Sequence, residues 1–302
     1  MSVDAVLIAG PTASGKSQAA LALAEAIGGV VINADSMQVY REARILTARP
    51  SVEDMARVPH LLYGHVSVGE SYSVGRYQAE AAHALRTARE TGRVPVFAGG
   101  TGMYFGVLTQ GIADIPPVPR GVREAAEARR QQIGAEAFHA ELTLRDPVTA
   151  ARLRPSDTQR ILRAYEVFEA TGRALSDWQK ETGEPVLAHL KLARFVLSPP
   201  RDVLRARIDA RFDAMLAAGA REEAKALTAL SPTAAKILGL RELRAAAEGT
   251  LPLDVAVEQA KGRTRQYAKR QLTWFRHRMR DWHWIEILEV RNIISEIRSK
   301  LV

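Results

Sequence analysis

The alternation of apolar and polar positions predicts strands and helices in turn over the N-terminal third of the chain. Residues 3–9 form a short apolar run typical of a buried strand, and residues 16–26 repeat alanine and leucine at helical spacing. Two more strands are predicted at 30–34 and 94–98, with a long amphipathic helix at 73–91 between them. Strands that alternate with helices indicate a parallel sheet with helices on both faces.

The pattern changes in the middle of the chain. Pro116, Pro117 and Pro119 interrupt any helix, and residues 122–180 then carry a helical pattern without a strand signal. Strand character returns at 190–197. We therefore predict an α/β core over residues 1–114 and 186–302 and an all-helical insertion domain over 115–185. The later elements of the core are predicted as helices at 201–218 and 253–279, a short strand around 284–287 and a terminal helix.

Composition and charge narrow the class of protein. The chain has 302 residues, of which 47% are apolar and 25% charged, as in a soluble globular protein. The absence of cysteine excludes disulfides, thiolate zinc sites and a catalytic thiol. No apolar run approaches the roughly 18 residues that cross a bilayer, and the run at 6–9 is expected to be a strand rather than a signal peptide. We expect a cytoplasmic protein without a membrane partner. Its net charge of +8 fits either an ordinary basic surface or a polyanionic partner.

A glycine-rich motif follows the first predicted strand and opens the first predicted helix. It matches G-x-x-x-x-G-K-[ST], the phosphate loop. Its residues are Gly10, Pro11, Thr12, Ala13, Ser14, Gly15, Lys16 and Ser17. Backbone N–H groups and the helix N-terminus hold phosphate oxygens, Lys16 adds a positive charge, and Ser17 offers a hydroxyl to a magnesium ion. The motif alone leaves open whether the ligand is ATP or another phosphate compound.

Two other strand ends carry candidate chemistry. Asp35 follows the second strand, where it could hold magnesium through water, act as a general base or cap a following helix. Thr101 lies in the Gly-Gly-Thr-Gly segment at the end of the third strand, which is either a ligand-contacting turn or a flexible connection. Because ligands of parallel sheets bind at the carboxyl ends of the strands, we expect these residues to meet the phosphate loop. No acidic pair typical of an ATPase motor accompanies the loop.

Basic residues cluster in two segments. Residues 261–280 contain eight lysines and arginines, three aromatic residues and no acid. This segment is either a solvated helix with its aromatics in the core or an RNA-facing surface. The second set is Arg152, Arg154, Arg160 and Arg163 with Gln159, for which a solvated helix face is the simpler interpretation. None of the seven histidines has metal-ligand spacing.

Taken together and in order, these segments resemble the tRNA dimethylallyltransferases, the bacterial type of tRNA isopentenyltransferase. The resemblance covers nearly the whole chain. It rests on GPTASGKS, INADSMQVYR, PHLLYGHV, GRVPVFAGGTGMYF, RLRPSDTQRILRAYEVFEATGRALSDWQ, RIDARFDAML, ILGLREL and TRQYAKRQLTWFR.

The resemblance implies a reaction and roles for individual residues. Dimethylallyl diphosphate would donate its prenyl group to the exocyclic N6 amine of the adenosine 3′ to the anticodon in tRNA, with Mg²⁺ as cofactor and a monomeric enzyme. Asp35 would be the general base, Thr101 would bond near the bridging oxygen of the diphosphate, and Arg211 would neutralise the diphosphate together with the phosphate loop. The helical insertion domain would grip the anticodon stem-loop. The implied tRNA contacts are Asp35, Ser36, Met37, Gln38, Thr101, Arg123, Gln159, Arg160, Ile161, Leu162 and Arg163.

Two positions depart from the family pattern, and two other functions compete with the implied one. Arg49 stands where the family often has lysine, and Met103 stands at a position that is commonly leucine.

A small-molecule or nucleoside kinase would use the same loop for ATP. A non-catalytic RNA-binding protein would use only the basic surfaces.

Overall fold

The computed structural model describes residues 3–286 and 289–300. The chain divides into two compact units, one formed by Met1–Leu108 and Val186–Val302 and the other by Thr109–Pro185. The first unit is built on one sheet. Its strands are β1 (Ala5–Ala9), β2 (Gly29–Asn33), β3 (His60–Leu61), β4 (Val94–Gly99), β5 (Leu192–Leu197) and β6 (His283–Ile285).

All the strand pairs in this sheet are parallel, and the spatial order is β3-β2-β4-β1-β5-β6. The prediction of a phosphate-loop parallel sheet flanked by helices is confirmed. β3 is missing from the sequence-based prediction, and the prediction for the last strand extended to position 287, which lies outside the described residues.

Helices of the first unit pack on both faces of the sheet. They are α1 (Lys16–Ile27), α2 (Val52–Arg57), α3 (Val74–Glu90), α4 (Gly102–Thr109), then, after the second unit, α9 (Arg201–Ala217), α10 (Ala220–Ala226), α11 (Leu240–Ala247), α12 (Leu253–Arg278) and α13 (Val290–Ser299), with a short 3₁₀ turn at Ala234–Lys236. Within the described residues, none of the helices is both long and apolar enough to span a bilayer.

Alternate residues of the central strands enter two separate hydrophobic clusters. In β1, Leu7 and Ala9 belong to the larger cluster, whereas Val6 and Ile8 pack against α1 in the other. All four side chains are inaccessible to solvent. Burial on both faces explains why the strands read as continuous apolar runs in the sequence.

The second unit is helical throughout its regular structure. Its helices are α5 (Arg120–Arg145), α6 (Pro147–Ala150), α7 (Thr158–Thr171) and α8 (Leu175–Trp178). Gly134 interrupts α5 with a φ of 81°. The buried carboxylate of Asp146 joins the parts of this unit, since it accepts hydrogen bonds from the N–H groups of Thr149 and Ser176, both at 3.0 Å.

The ends of β2 and β4 approach so closely that only glycine fits at position 99. A Cβ on Gly99 would lie 2.0 Å from the backbone carbonyl of Ala34. This contact brings the segment that begins with Asp35 next to the one that contains Thr101, and the Thr101 N–H donates to the Ala34 carbonyl at 3.1 Å.

We predict that Gly99→Ala lowers the free energy of unfolding by at least about 1–3 kcal/mol, because two backbone segments must separate. Gly106→Ala is the matched control, since a Cβ there meets no atom within 4 Å inside helix α4. It should raise the free energy of unfolding by about 0.5–1 kcal/mol. Urea unfolding followed by circular dichroism measures both, and equal midpoints for the two variants would contradict the packing constraint.

Candidate active site

The phosphate loop connects β1 to α1 in a strained backbone conformation. Ala13 and Gly15 both have positive φ, 65° and 92°, and Gly15 directly precedes the first helical residue, Lys16. Alternation of this kind turns successive N–H groups toward one side and forms an anion-binding concavity. A cavity of about 380 Å³ opens there, lined by Ala13, Ser14, Gly15, Lys16, Ser17, Gln18, Ala48, Arg207 and Arg211.

Two cations lie at this loop, Lys16 buried and Arg211 half-buried. The side chain of Lys16 is buried with a relative exposure of 8%, and its ammonium donates to the Pro11 carbonyl at 3.3 Å. Burial lowers the pKa of Lys16 to about 8, with Asp35 opposing this change and Arg211 adding to it. Burial also lowers the pKa of Arg211, again opposed by Asp35. The Arg211 guanidinium donates to the Thr12 hydroxyl, so α9 brings a second positive charge to the phosphate loop.

Asp35 begins a turn two residues after β2. Its N–H donates to the Asn33 side chain at 2.8 Å, and its Oδ1 accepts from the Met37 N–H at 3.0 Å. No helix begins in the segment that follows Asp35, so the helix-cap interpretation is wrong. The charge of Asp35 acts on both Lys16 and Arg211, as predicted for strand ends that converge at one edge of the sheet.

Hydroxyl groups surround the carboxylate. The Thr101 hydroxyl accepts from the Ser36 N–H at 2.9 Å and is hydrogen-bonded to Tyr267 of α12. Burial, followed by the negative charge of Asp35, raises the pKa values of Tyr63, Tyr104 and Tyr267. These phenols remain neutral at physiological pH and surround Asp35 with dipoles rather than charges.

Gln271 of α12 connects two loops of the site, and the sequence analysis did not identify it. The Thr12 N–H donates to its side-chain oxygen at 2.9 Å, and its amide nitrogen donates to the Gly100 carbonyl at 2.8 Å. The side chain is buried. One amide group therefore connects the phosphate loop to the loop of Thr101, in addition to the bond from the Gly10 N–H to the Gly99 carbonyl at 3.2 Å.

Glu223 of α10 is a second residue that the sequence analysis missed. Its carboxylate accepts from the N–H groups of Arg44, Ile45 and Leu46, at 2.7, 2.8 and 2.8 Å. The next residues in this loop, Thr47 and Ala48, accept two hydrogen bonds from the buried amide of Gln38, at 3.0 and 2.7 Å. Gln38, implied by the resemblance as a tRNA contact, thus has its amide nitrogen engaged within the protein.

Arg49, the departure from the family pattern, ends this loop. Its guanidinium donates to the Arg41 carbonyl at 3.0 Å and lies over Gly64, where a Cβ would overlap it. Burial, and then the neighbouring Arg44, lowers the pKa of Arg49. The bulkier side chain is accommodated because position 64 is glycine.

The basic segment of α12 separates into two groups. Lys261, Arg263 and Arg265 form ion pairs, with Asp213 at 2.6 Å, Glu242 at 2.9 Å and Asp209 at 2.5 Å respectively. Lys269 and Arg276 are exposed and line a groove of about 680 Å³ between α9 and α12. Of the aromatic residues, Phe275 is buried in the core and Trp274 packs over Gly102. The buried Phe275 agrees with the interpretation of a solvated helix with its aromatics in the core, and an RNA-facing surface on the exposed group stays a prediction.

In the second basic set, Arg152 and Arg154 precede α7 of the helical unit, and Gln159, Arg160 and Arg163 lie on it. Gln159 and Arg160 are exposed, whereas burial lowers the pKa of Arg163, which also experiences the charges of Glu166 and Arg123. Ile161 is only 1% exposed and belongs to the core of this unit. The side chain of Ile161 therefore lies in this core, and the tRNA contact that the resemblance implies for this residue stays a prediction. Leu162 is half-buried against the same core.

The Ser17 hydroxyl could bind a magnesium ion whose other ligands are phosphate oxygens of a substrate. No group of three or more acidic or histidine side chains within the described ranges could hold a metal alone. Ser17 is exposed in the first turn of α1, beside the phosphate cavity. Magnesium is commonly held by one or two protein oxygens together with substrate phosphates, which fits this arrangement.

Comparison with known proteins identifies relatives along the whole chain. Residues 38–278 match the family model described as IPP transferase. A tRNA dimethylallyltransferase of Nitrobacter hamburgensis is 53% identical over 285 residues, which is 93% of this chain and 90% of that protein. A tRNA dimethylallyltransferase of Bradyrhizobium sp. ORS 278 is 49% identical over 300 residues, covering 98% and 97% of the two chains.

Solved structures are similar over the same length. A full-length tRNA isopentenylpyrophosphate transferase from Bacillus halodurans has a TM-score of 0.69 and 32% identity, covering 99% of this chain and 95% of its own. A eukaryotic dimethylallyltransferase, described as acting on tRNA, has a TM-score of 0.81 and 27% identity, covering 98% of this chain and 77% of its own.

The lowered pKa of Lys16 predicts proton uptake when an anion binds. Near pH 8.5 the free protein holds Lys16 largely neutral, and the negative charge of inorganic diphosphate should raise its pKa and recruit a proton. In Lys16→Arg the guanidinium is already charged. Calorimetry in two buffers of different ionisation enthalpy should therefore show more proton uptake by the wild type than by Lys16→Arg at pH 8.5.

At pH 6.5 this difference should vanish, because Lys16 is then protonated before binding. The comparison between the two proteins cancels the protonation of diphosphate itself. Identical uptake by both proteins at pH 8.5 would rule out a neutral Lys16 in the free site.

Proposed function

This chain belongs to the IPP transferase family, and we propose that it transfers the dimethylallyl group of dimethylallyl diphosphate to the exocyclic N6 amine of the adenosine 3′ to the anticodon in tRNA, releasing diphosphate. The observation that carries the proposal is the position of a carboxylate, Asp35, near a phosphate loop that holds two cations, the buried Lys16 and the half-buried Arg211. The diphosphate gains negative charge as it leaves, so it needs the cations of the loop. The attacking amine loses a proton, so it needs the carboxylate on the other side of the reacting carbon.

The phosphate loop would hold the diphosphate. The first N–H groups of α1 lack intrahelical partners and point into the loop, and Lys16 and Arg211 add two charges. When the bond between C1 and the bridging oxygen breaks, negative charge collects on the diphosphate. Donors already aimed at that charge stabilise the transition state without reorganising.

Asp35 would act as the general base. As the N6 nitrogen forms its bond to C1, its proton passes to the Asp35 carboxylate, and the pair of electrons of the breaking carbon–oxygen bond leaves with diphosphate. The hydrogen bond from the Met37 N–H orients Oδ1 at 3.0 Å and leaves the other carboxylate oxygen for the amine. Thr101, held by Ser36 and Tyr267, would donate its hydroxyl proton toward the bridging oxygen.

A magnesium ion held by the Ser17 hydroxyl and the phosphate oxygens would add further positive charge to the leaving group. The phosphate loop is a motif typical of ATP-binding proteins. It also suits dimethylallyl diphosphate, because both compounds carry a diphosphate. The enzyme would act as a monomer.

The tRNA would be held by two charged surfaces. One is the exposed part of α12 that carries Lys269 and Arg276, and the other is the start of α7 with Gln159 and Arg160 in the helical unit. Basic side chains contact phosphates, and an exposed glutamine can bond to a base edge. The target adenine must leave its stack to reach the half-buried carboxylate of Asp35.

The test is incubation with dimethylallyl diphosphate, Mg²⁺ and unmodified tRNA, followed by mass spectrometry of the nucleosides. We expect prenylated adenosine from the wild type and at least about a 100-fold slower transfer by Asp35→Asn, because a general base contributes 10²–10⁴-fold to the rate. Asp202→Asn, an exposed aspartate at the start of α9, is the control and should react like the wild type.

Binding of tRNA by Asp35→Asn should stay within about twofold of the wild type, since the base acts in the transition state. Equal losses of binding and transfer would contradict the assignment of Asp35. Consumption of ATP by the wild type without any prenylated adenosine would instead favour the kinase.

The exposed basic face of α12 predicts salt-dependent binding. Replacing both Lys269 and Arg276 with glutamine should lower the slope of log K against log[salt] by up to about 1.4–1.8, because each phosphate contact adds about 0.7–0.9. The control replaces Arg89 and Arg93, two exposed arginines next to the amino end of β4, and should keep the wild-type slope. Filter binding of tRNA at several salt concentrations measures both, and parallel lines for the two double variants would exclude this face.

A further inference from the structure

Gln271 is a polar side chain at a core position of α12. Its neighbours on the buried face of this helix are Thr264, Ala268 and Phe275, at helical spacing. Burying an amide among such residues is costly unless both of its ends are hydrogen-bonded. Both ends are bonded, and their partners are backbone groups of two loops that lie far from α12 in the sequence.

The support for one end of this bridge is the carbonyl of Gly100. The preceding residue, Gly99, packs so closely against the Ala34 carbonyl that no Cβ fits. Position 100 is equally crowded, since a Cβ there would lie 2.3 Å from the Gln271 amide nitrogen and 3.2 Å from Asp35 Oδ2. The Gly100 carbonyl therefore gives Gln271 a fixed partner beside the carboxylate of the site.

The other end of the bridge leads to Arg211 through Thr12. The sheet holds the phosphate loop at its first residue, where the Gly10 N–H donates to the Gly99 carbonyl at 3.2 Å. Thr12 lies two residues further along, and its N–H donates to Gln271 at 2.9 Å. The Thr12 hydroxyl accepts a hydrogen bond from the Arg211 guanidinium. Gln271 thus holds the part of the loop that contacts Arg211.

We propose that Gln271 is a positioning residue that fixes Arg211 at the phosphate loop, acting through Thr12. The inference rests on the proposed function, in which Arg211 neutralises the leaving diphosphate, and adds a residue that acts on it indirectly. The chemical requirement at position 271 is specific. The side chain must present an acceptor to one backbone N–H and a donor to one backbone carbonyl, and the glutamine amide supplies both.

The first test uses two substitutions of similar size. Gln271→Met forms neither hydrogen bond and should slow prenyl transfer at saturating tRNA by about 10–100-fold, since small misplacements of a binding group have effects of this order. Gln271→Glu presents only acceptors when ionised and repels the Gly100 carbonyl. When protonated, its carboxyl group has one donor and one acceptor, as the amide does.

A pH series of Gln271→Glu separates positioning from a general structural role. Burial and the nearby Asp35 carboxylate raise the pKa of such a carboxyl group, against the positive charges of Lys16 and Arg211. Its rate divided by that of the wild type should therefore rise as the pH falls from 8.5 to 6.5. The division removes the titration of groups that both proteins share, and the same ratio for Gln271→Met should stay constant.

A double-mutant cycle tests the route through Arg211. Calorimetric affinity for inorganic diphosphate needs neither tRNA nor catalysis. We expect Gln271→Met to weaken this affinity about two- to tenfold, the range of one hydrogen bond. The double variant with Arg211→Met should bind no more weakly than Arg211→Met alone. Gln266→Met is the control, because Gln266 is an exposed glutamine of the same helix, and it should behave like the wild type.

Wild-type transfer by folded Gln271→Met would overturn the proposal, as would equal losses in Gln271→Met and Gln271→Glu at every pH. Additive losses of diphosphate affinity in the cycle would exclude the route through Arg211. Failure of the proposed function looks different. In that case the wild type gives no prenylated adenosine, while the diphosphate affinities still show whether Gln271 and Arg211 act together.

Discussion

The buried Lys16 and the half-buried Arg211, with a single carboxylate near them, create an excess of positive charge at the phosphate loop. Lys16 and Arg211 both lose solvation, and Asp35 offsets only part of that cost. Burying unpaired charge is expensive, so the free site favours either deprotonation of Lys16 or binding of an anion. A polyphosphate offsets this excess, because it supplies negative charge and accepts hydrogen bonds from the N–H groups at the start of α1. The affinity for a diphosphate is thus a consequence of how the unbound site is built.

The site keeps this geometry because side-chain hydrogen bonds and one close backbone contact fix its loops. Gln271 joins the phosphate loop to the segment of Thr101 through one amide, and Glu223 holds the loop at positions 44–46 through three backbone N–H groups. Gly99 permits the ends of β2 and β4 to touch. Each of these contacts joins segments that are far apart in the chain. Together, these three contacts hold the loops of the site in position before any ligand binds.

The same long-range contacts mark the limit of what the sequence could predict. The buried strands were recognisable because they are covered on both faces, and the phosphate loop, Asp35 and Thr101 could be located because parallel strands end at one edge. β3 was missed, since a strand of two residues has no periodicity to detect. Gln271 lies among basic residues and resembles a solvated position, and Glu223 bonds to residues 177 to 179 positions away. Only the folded chain reveals that either side chain belongs to the site.

The phosphate loop by itself does not determine which bond of a bound ligand breaks. The loop stabilises negative charge on phosphate oxygens whether a nucleophile attacks phosphorus or the carbon beyond the bridging oxygen. What differs is the set of groups opposite the loop. A kinase must bring an acceptor to the terminal phosphorus, whereas here Asp35 lies at a small cavity that Tyr267 also lines and whose other lining residues are mostly apolar. A hydrocarbon is stabilised against such a wall, and a terminal phosphate would be left there without donors. The apolar wall therefore favours cleavage at carbon, and the family's chemistry follows from the side chains that face the loop rather than from the loop's own motif.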